Sequence, residues 1–298
     1  MDIQKEKLII VPATDEDSDY LESCLEEHTN KILPSYSNEI TEYFYHCIKE
    51  DGEVVAGILA ESYYKTVLVI DILWVKEGYR HKGYGAILMR DAEKKAAAAG
   101  CTISFVSTYT FQARGFYEKL GYKVFGTIQD CPVKSHSDFY LSKSLKDVAQ
   151  SPASNNKNTP NVEIQVATND YNDVIVQGLI RNNKGHVPFT QSPNNIWFEM
   201  CIKDGDEMVA GISSKSSCWK LFYLEGLWVK EEYRNKGYAT ALIRDVEKQA
   251  KDFGCEVAIL ETFNPAMRQL CEKQGYEVYG TLENYPQGHT RYYMSKKF

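Results

Sequence analysis

Apolar residues fall along this chain in short runs separated by polar turns, and the runs are of two kinds. Ile70 to Val75 is an apolar run rich in Ile, Leu, Val and Trp, broken only by Asp71, and such a run predicts a strand. A polar turn follows, and Arg80-His81-Lys82-Gly83-Tyr84-Gly85 leads into a segment of Ala, Leu, Met, Arg, Glu and Lys that ends at Gly100. These are good helix formers, and Gly100 is placed as a C-terminal cap, so the pattern predicts strand, glycine-bearing loop, helix.

The same pattern returns. Leu227-Trp228-Val229-Lys230-Glu231-Glu232-Tyr233-Arg234-Asn235-Lys236-Gly237-Tyr238-Ala239 repeats Leu73 to Gly85 at an offset of 228 − 74 = 154. The offset holds far beyond the loop: Ala13-Thr14 meets Ala167-Thr168, Pro34 meets Pro188, Val55 to Ile58 meets Val209 to Ile212, and Gly121-Tyr122 meets Gly275-Tyr276. A period this long is one duplicated domain and not a solenoid. Near the end a slip of one residue aligns His136 with His289 and Tyr140 with Tyr293.

Each copy then has one coarse order. A first strand (Leu8–Val11; Glu163–Val166) leads to a helical region ending near Pro34 or Pro188. A hairpin follows, turning at Asp51-Gly52 and at Asp204-Gly205. Next come the strand, loop and helix, an apolar strand (Thr102–Ser107; Glu256–Glu261), a short helix and C-terminal strands. Gln150 to Pro160 is polar and bounded by prolines, too poor in apolar surface to order itself, and predicts a flexible linker. The expected boundaries are 1–146, a linker over 147–161, and 162–298.

The loop has a definite chemistry. A helix N-terminus leaves its first amides unpaired and carries about half a positive charge, and glycines ahead of it let a phosphate approach closely. Arg80 and Lys82 add donors. Neither G-x-x-x-x-G-K-[ST] nor G-x-G-x-x-G is present. The R-x-K-G-Y-G that stands here resembles the acyl-CoA-binding motif of the GNAT acyltransferase superfamily, [QR]-x-x-G-x-[GA], and the resemblance extends over both copies. It implies two tandem domains of the α+β class (α/β sandwich-like), each a mixed, mostly antiparallel twisted sheet flanked by helices. It implies acetyl-CoA as cofactor, held by Leu73, Trp74, Val75, Arg80, His81, Lys82, Gly83, Tyr84 and Gly85. In the second copy the equivalents are Leu227, Trp228, Val229, Arg234, Asn235, Lys236, Gly237, Tyr238 and Ala239. The two copies are also expected to pack as GNAT homodimers do, as an intramolecular pseudo-dimer.

Composition narrows the picture. A length of 298 residues fits about two domains, and 25% charged with 43% hydrophobic residues is ordinary for globular chains. No apolar run approaches the roughly 20 residues that span a bilayer, and the acidic N-terminal stretch has no secretory h-region, so a cytoplasmic protein without membrane contact is expected. A net charge of −7 argues against a nucleic-acid surface and tilts toward a cationic amine substrate. The eight cysteines are scattered without C-x-x-C, and pairs such as Cys47/Cys201 and Cys101/Cys255 occupy equivalent positions, as buried core residues would. No His or Cys has metal-ligand spacing, so no metal is expected.

Acyl transfer from a thioester to an amine poses two proton problems. The amine arrives as ammonium and needs a base, and the departing thiolate benefits from an acid. Backbone amides beside a splayed central strand would serve the oxyanion. Asp71 and its equivalent Glu225 interrupt apolar strands just ahead of the loops, where burial would raise a carboxylate toward neutrality. GNAT enzymes often carry the base there; the competing reading has both side chains facing solvent or a structural partner. Phe116-Tyr117-Glu118-Lys119-Leu120-Gly121-Tyr122 is similar to the GNAT pattern F-Y-x-x-x-G-[FY], which makes Tyr117 the general acid and otherwise a core aromatic. Cys271 stands at that position in the second copy. The second copy has Asn264 after its strand, where the family places a cofactor contact, and the first has Thr110. His136 and His289 are expected to pin loops.

The expected activity is N-acetyl transfer to a primary amine, on a small molecule or a protein, through a ternary complex and chiefly in the first copy. The alternatives are a CoA-binding scaffold that moves no acyl group, or activity confined to the second copy.

Overall fold

The computed structural model describes residues 9–33, 40–148 and 162–298. The first copy runs β1 (Ile10–Pro12), α1 (Asp15–Ile32), β2 (Ile40–Tyr43), β3 (His46–Glu50), β4 (Glu53–Tyr63) and β5 (Val67–Val75). It continues with α2 (Tyr84–Ala98), β6 (Ile103–Tyr109), α3 (Arg114–Lys119), β7 (Lys123–Gln129) and β8 (Ser137–Ser144). The second copy runs β9 (Ile164–Val166), α4 (Asn169–His186), β10 (Asn195–Asp204), β11 (Glu207–Ser217) and β12 (Leu221–Val229). Then come α5 (Tyr238–Phe253), β13 (Val257–Thr262), α6 (Pro265–Lys273), β14 (Glu277–Glu283) and β15 (Thr290–Lys297). The segment expected to be a linker lies, from residue 149 on, outside the described residues.

Compact packing does not follow the order of the copies. One unit, the N-unit, comprises Tyr36–Pro188 and Gly280–Arg291; the other, the C-unit, comprises Met1–Ser35, Phe189–Tyr279 and Tyr292–Phe298. The first strand and helix of each copy therefore belong to the unit built on the other copy's strands. The repeat boundary expected between residues 146 and 162 and the partition of the compact units are different things.

The N-unit sheet runs β9-β3-β4-β5-β6-β8-β7, with β2 also on β4. Only β5 and β6 are parallel; every other neighbour is antiparallel. The C-unit sheet runs β1-β10-β11-β12-β13-β15, with β12 and β13 its parallel pair. The hairpin turn at Asp51-Gly52 has positive φ at both residues (49° and 80°), which matches the right-handed twist of the strands it joins.

Close packing of helix on strand holds each exchanged element. In the N-unit, α4 lies on β4 and β5, and a Cβ added at Gly57 would stand 2.1 Å from Ile175 Cδ1. A Cβ at Gly178 would stand 2.3 Å from Trp74 Cε2, so a glycine inside a helix, normally a cost of about 1 kcal/mol, is what admits the indole. The C-unit repeats the first contact, Leu21 of α1 meeting Gly211 at 3.2 Å from the added Cβ, and makes a different second one, Leu25 meeting Gly226 at 2.4 Å. Thr14 and Asp17 cap α1 reciprocally, and Asp17 also pairs with Lys203 of β10 at 2.8 Å.

Two cores result. In the N-unit Leu88, Ala92 and Ala96 recur every fourth residue on the inner face of α2, against Ile58, Leu68 and Val106. In the C-unit Leu242, Val246 and Ala250 do the same on α5. Both units bury one glutamate beside a tyrosine and pair it with a lysine: Glu93 with Lys143 at 2.5 Å, and Glu247 with Lys296 at 2.7 Å. Among the described residues, no helix is long and apolar enough to cross a membrane.

Gly178→Ala is expected to lower stability. The methyl gains helix propensity but overpacks the rigid indole of Trp74, leaving a net loss of about 1–2 kcal/mol. Chemical denaturation checks this, and an unchanged midpoint would refute the packing account.

Candidate functional site

The site begins with one residue too many. In the N-unit β4 pairs Ala60 with Ile70 and Leu59 with Ile72, so Asp71 is the unpaired residue of a β-bulge. On the other edge β5 pairs with β6 only from Val67/Ile103 to Ile70/Val106. Past that point the two strands part, and a cleft of about 850 Å³ opens between them. The outer half of β5, the loop to α2, the end of β6 and α3 form its walls, together with Leu179, Asn182 and His186 of α4. The C-unit repeats the geometry: Glu225 is skipped between Leu224 and Gly226, and β12 pairs with β13 only as far as Tyr223/Ile259.

The loop after β5 is a short 3₁₀ turn at Glu77–Tyr79 followed by alternating backbone handedness. His81 (φ 63°) and Gly83 (φ 92°) are left-handed, and Gly83 caps α2. Such alternation points successive amides into one concavity, which with the helix N-terminus suits an anion. Asn235 (φ 60°) and Gly237 (φ 89°) trace the same path in the C-unit. The Gly85 backbone lies close to α3: a Cβ there would stand 3.3 Å from Phe116 Cζ and 3.6 Å from Val75 Cγ2. Ala239 carries a Cβ at the equivalent place. The groups present thus fit a pyrophosphate-bearing cofactor.

The named side chains fall into three sets. Leu73, Val75, Arg80, His81, Gly83 and Gly85 line the cleft, as do Asp71 and Tyr117. Arg80 is braced there, its Nε donating to the Val75 carbonyl (3.2 Å) and a terminal nitrogen to Asn182 Oδ1 (2.8 Å). Trp74 and Tyr84 also reach the cleft but are mostly buried, Trp74 under α4 and Tyr84 donating its hydroxyl to Glu50. Lys82 lies over the Tyr79 ring at 4.4 Å, outside the cleft wall. In the C-unit Arg234 bonds the Val229 carbonyl (2.9 Å), Lys236 lies over Tyr233 (4.8 Å), and Trp228 meets Tyr20 of α1 edge-on. Leu227, Val229 and Tyr238 pack on the C-unit core. Asn264 caps α6, its Oδ1 accepting from the amides of Ala266 (2.9 Å) and Met267 (3.4 Å).

The proton-handling positions differ between the units. Asp71 is open to water through the cleft, but the surrounding walls thin its hydration. That desolvation, with the Glu61 carboxylate nearby, raises Asp71 to about 7. Glu225 instead forms an ion pair with Lys215 at 2.7 Å. Tyr117 is buried among Phe116 and Tyr122, ring centroids 5.2 and 5.8 Å away, and burial holds its phenol well above the usual tyrosine range. Cys271 is wholly enclosed in the C-unit core, where burial pushes the thiol up to about 12.

His136 pins its loop through the backbone, its amide donating to Val133 O and its carbonyl accepting from Cys131 N. His289 does likewise between Pro286 and Tyr285. The sequence reading passes over Glu61, Phe111, Gln112 and the α4 residues. Phe111 stacks on His186 (5.8 Å), and Gln112 donates to Asn183 Oδ1 (3.0 Å), so α4 is tied to the strand end that carries α3. One signal for Glu61 stands in the sequence, because its equivalent is Lys215 and the charge is reversed. The α4 contacts leave no signal, since a repeat looks the same whichever copy's strands its helix covers.

The pattern of the Acetyltransferase (GNAT) family matches residues 12–122 and again 173–276. A blasticidin-S acetyltransferase from Streptomyces morookaense is 37% identical over 97 residues, 32% of this chain and 71% of that protein. An acetyltransferase from Agrobacterium fabrum is 28% identical over 99 residues, 33% of this chain and 71% of that protein. Among solved structures, an acetyltransferase from Bacillus cereus is 30% identical with a TM-score of 0.42, over 45% of this chain and 95% of that one.

Burial predicts which thiols react. Seven of the eight free cysteines, Cys271 included, are buried, and Cys218 is partly exposed. With a disulfide reagent at pH 8 the native chain is expected to release one fast equivalent, from Cys218, with Cys271 modified only on unfolding. Rapid labelling of Cys271, read by peptide mass, would contradict its placement in the core.

Proposed function

This chain belongs to the GNAT acetyltransferase family and is an acyltransferase, and from that premise we propose that it moves an acetyl group from acetyl-CoA to a primary amine by direct attack in a ternary complex. We assign the chemistry to the N-unit. The carrying observation is the contrast at equivalent positions: Asp71 and Tyr117 line an open cleft, whereas Glu225 is paired with Lys215 and Cys271 is sealed in a core.

Bound acetyl-CoA supplies an acyl thioester. Its pyrophosphate fits the amides at His81 and Gly83 and the N-terminus of α2, with Arg80 alongside. Asp71, close to half ionised at neutral pH, accepts the proton that the ammonium must lose before its nitrogen can attack. Tyr117, kept as the neutral phenol by burial, donates its proton to the departing sulfur. Two neighbouring carboxylates, Glu61 and Asp71, favour an acceptor that arrives as a cation.

A second role fits the C-unit. Its loop keeps the left-handed path through Asn235 and Gly237 while its proton-handling positions are occupied otherwise, so we read it as a CoA-holding fold that moves no acyl group. The reciprocal exchange of strand and helix supports treating the chain as an intramolecular pseudo-dimer, and eight free thiols support a cytoplasmic setting.

Asp71→Asn and Tyr117→Phe are each expected to lower kcat about 10²- to 10⁴-fold while calorimetric titration shows CoA still bound. In the wild type kcat/KM is expected to fall about tenfold per pH below about 7, because protonation of Asp71 removes the base. Replacement of Glu225 or Cys271 is expected to leave turnover intact. Full activity in Asp71→Asn together with loss in Glu225→Gln would move the chemistry to the C-unit.

A further inference from the structure

Asp71 does not stand alone. Glu61 on β4 neighbours it, and the Glu61 carboxylate is held at both oxygens: the Tyr45 hydroxyl donates to Oε1, and the Tyr63 hydroxyl donates to Oε2 at 3.0 Å. Burial first, and then the hydrogen bond to Glu61 and the charges of Glu61 and Asp71, disfavour ionisation of both the Tyr45 and the Tyr63 phenol. Tyr43 of β2 packs edge-on against Tyr45 at 5.2 Å. Among the described residues, no lysine or arginine pairs with Glu61 or Asp71. The other charged or titratable groups that line the cleft with Asp71 include Arg80 and His81 in the loop, Arg90 of α2, Tyr117 and Lys119 of α3, and His186 of α4.

The C-unit carries the same backbone with the charge reversed. Position 215 corresponds to 61 and position 225 to 71, and in both units the second of these is the unpaired residue of the bulge. Lys215 takes the place of Glu61, and its Nζ lies 2.7 Å from the Glu225 carboxylate and 5.1 Å from the centre of the Trp197 ring. Equivalents of the two tyrosines are absent too: Glu199 stands for Tyr45 and Ser217 for Tyr63. One sheet position therefore puts a fixed anion beside the bulge in one unit and a cation in the other.

We propose that Glu61, pinned by the Tyr45 and Tyr63 hydroxyls, is a positioning residue that keeps the neighbouring Asp71 carboxylate free of a cationic partner, and that the charge at this one position decides which unit holds an available base. The inference rests on the reading of Asp71 as the base. Glu61 acts on the reaction through Asp71. Lysine at this position gives the bulge carboxylate a permanent counter-ion that a substrate ammonium would have to displace. Glutamate leaves that place to the substrate and favours the proton when it is transferred.

The test is the pH profile of kcat/KM for the full chain with acetyl-CoA and a simple diamine acceptor, recorded for wild type, Asp71→Asn, Glu61→Gln and Glu61→Lys. Glu61→Gln keeps the shape and removes the charge; the midpoint of the acidic limb is expected to move down by about one pH. Glu61→Lys copies the C-unit pairing and is expected to move the limb further and to lower kcat at least tenfold, with CoA binding unchanged by calorimetry. A limb that stays in place in Glu61→Gln while Asp71→Asn abolishes it would overturn the role of Glu61 and leave Asp71 as the base. Asp71→Asn with wild-type rate and profile would sink the underlying assignment instead. Because Glu61→Gln is isosteric and partly exposed, a folding defect is not its expected outcome, and Glu61→Lys gives an independent reading in the opposite charge state.

Discussion

A break in hydrogen-bond register organises the N-unit. Opposite β4, the central strand β5 has one residue more than the ladder can pair, and its parallel bonds to β6 stop beside that residue. A continuous sheet would close the gap with backbone hydrogen bonds. The bulge instead turns a carboxylate out of the pleat and leaves the strands to diverge. The cleft, the reach of the loop to α2 and the place of Tyr117 on the far wall all follow from that divergence. Glu61 enters the same geometry because the antiparallel neighbour brings β4 back past the bulge.

Duplication gives the protein an internal control on what each residue is for. The buried pairs Glu93–Lys143 and Glu247–Lys296 occur in both units. Removing one partner of such a pair strands a charge in a core, at a cost of about 3–5 kcal/mol, so it persists for stability whatever the unit does. At positions 61/215 the units have parted in charge and at 117/271 in chemistry, while 71/225 keeps a carboxylate that meets different neighbours. The left-handed pairs His81/Gly83 and Asn235/Gly237 are alike, so the path of the loop is kept where the side chains on it differ.

Much of this was legible in the sequence. The apolar run, the glycines and the helix formers located strand, loop and helix, and the 154-residue offset exposed two domains of one kind. The carboxylate inside an apolar run picked out Asp71, although its isolation from any cation depends on what β4 lays beside it. Two features were hidden for a physical reason. Leu21 and Ile175 are equivalent, as are Gly57 and Gly211, so the complementarity of helix and strand is satisfied equally by a copy's own partner or its twin's. Sequence specifies the fit and leaves the pairing open. For the same reason Asn182 and His186, which line the N-unit cleft, could not be found from the first copy's motifs.

The exchange also sets an order of events at the ribosome. The N-unit holds the earliest strands of its sheet but needs β9 and α4, which are made after β8. Through most of its synthesis the cleft thus lacks a wall, while α1, already translated and matched to the same glycine surface, is at hand. The finished arrangement requires that early helix to remain available to, or be released for, strands not yet made. A chain that doubled its length by copying itself thereby acquired a choice between two nearly equivalent ways to close each core, and the one it adopts makes the N-unit wait for elements of the second copy while the C-unit draws on elements made first.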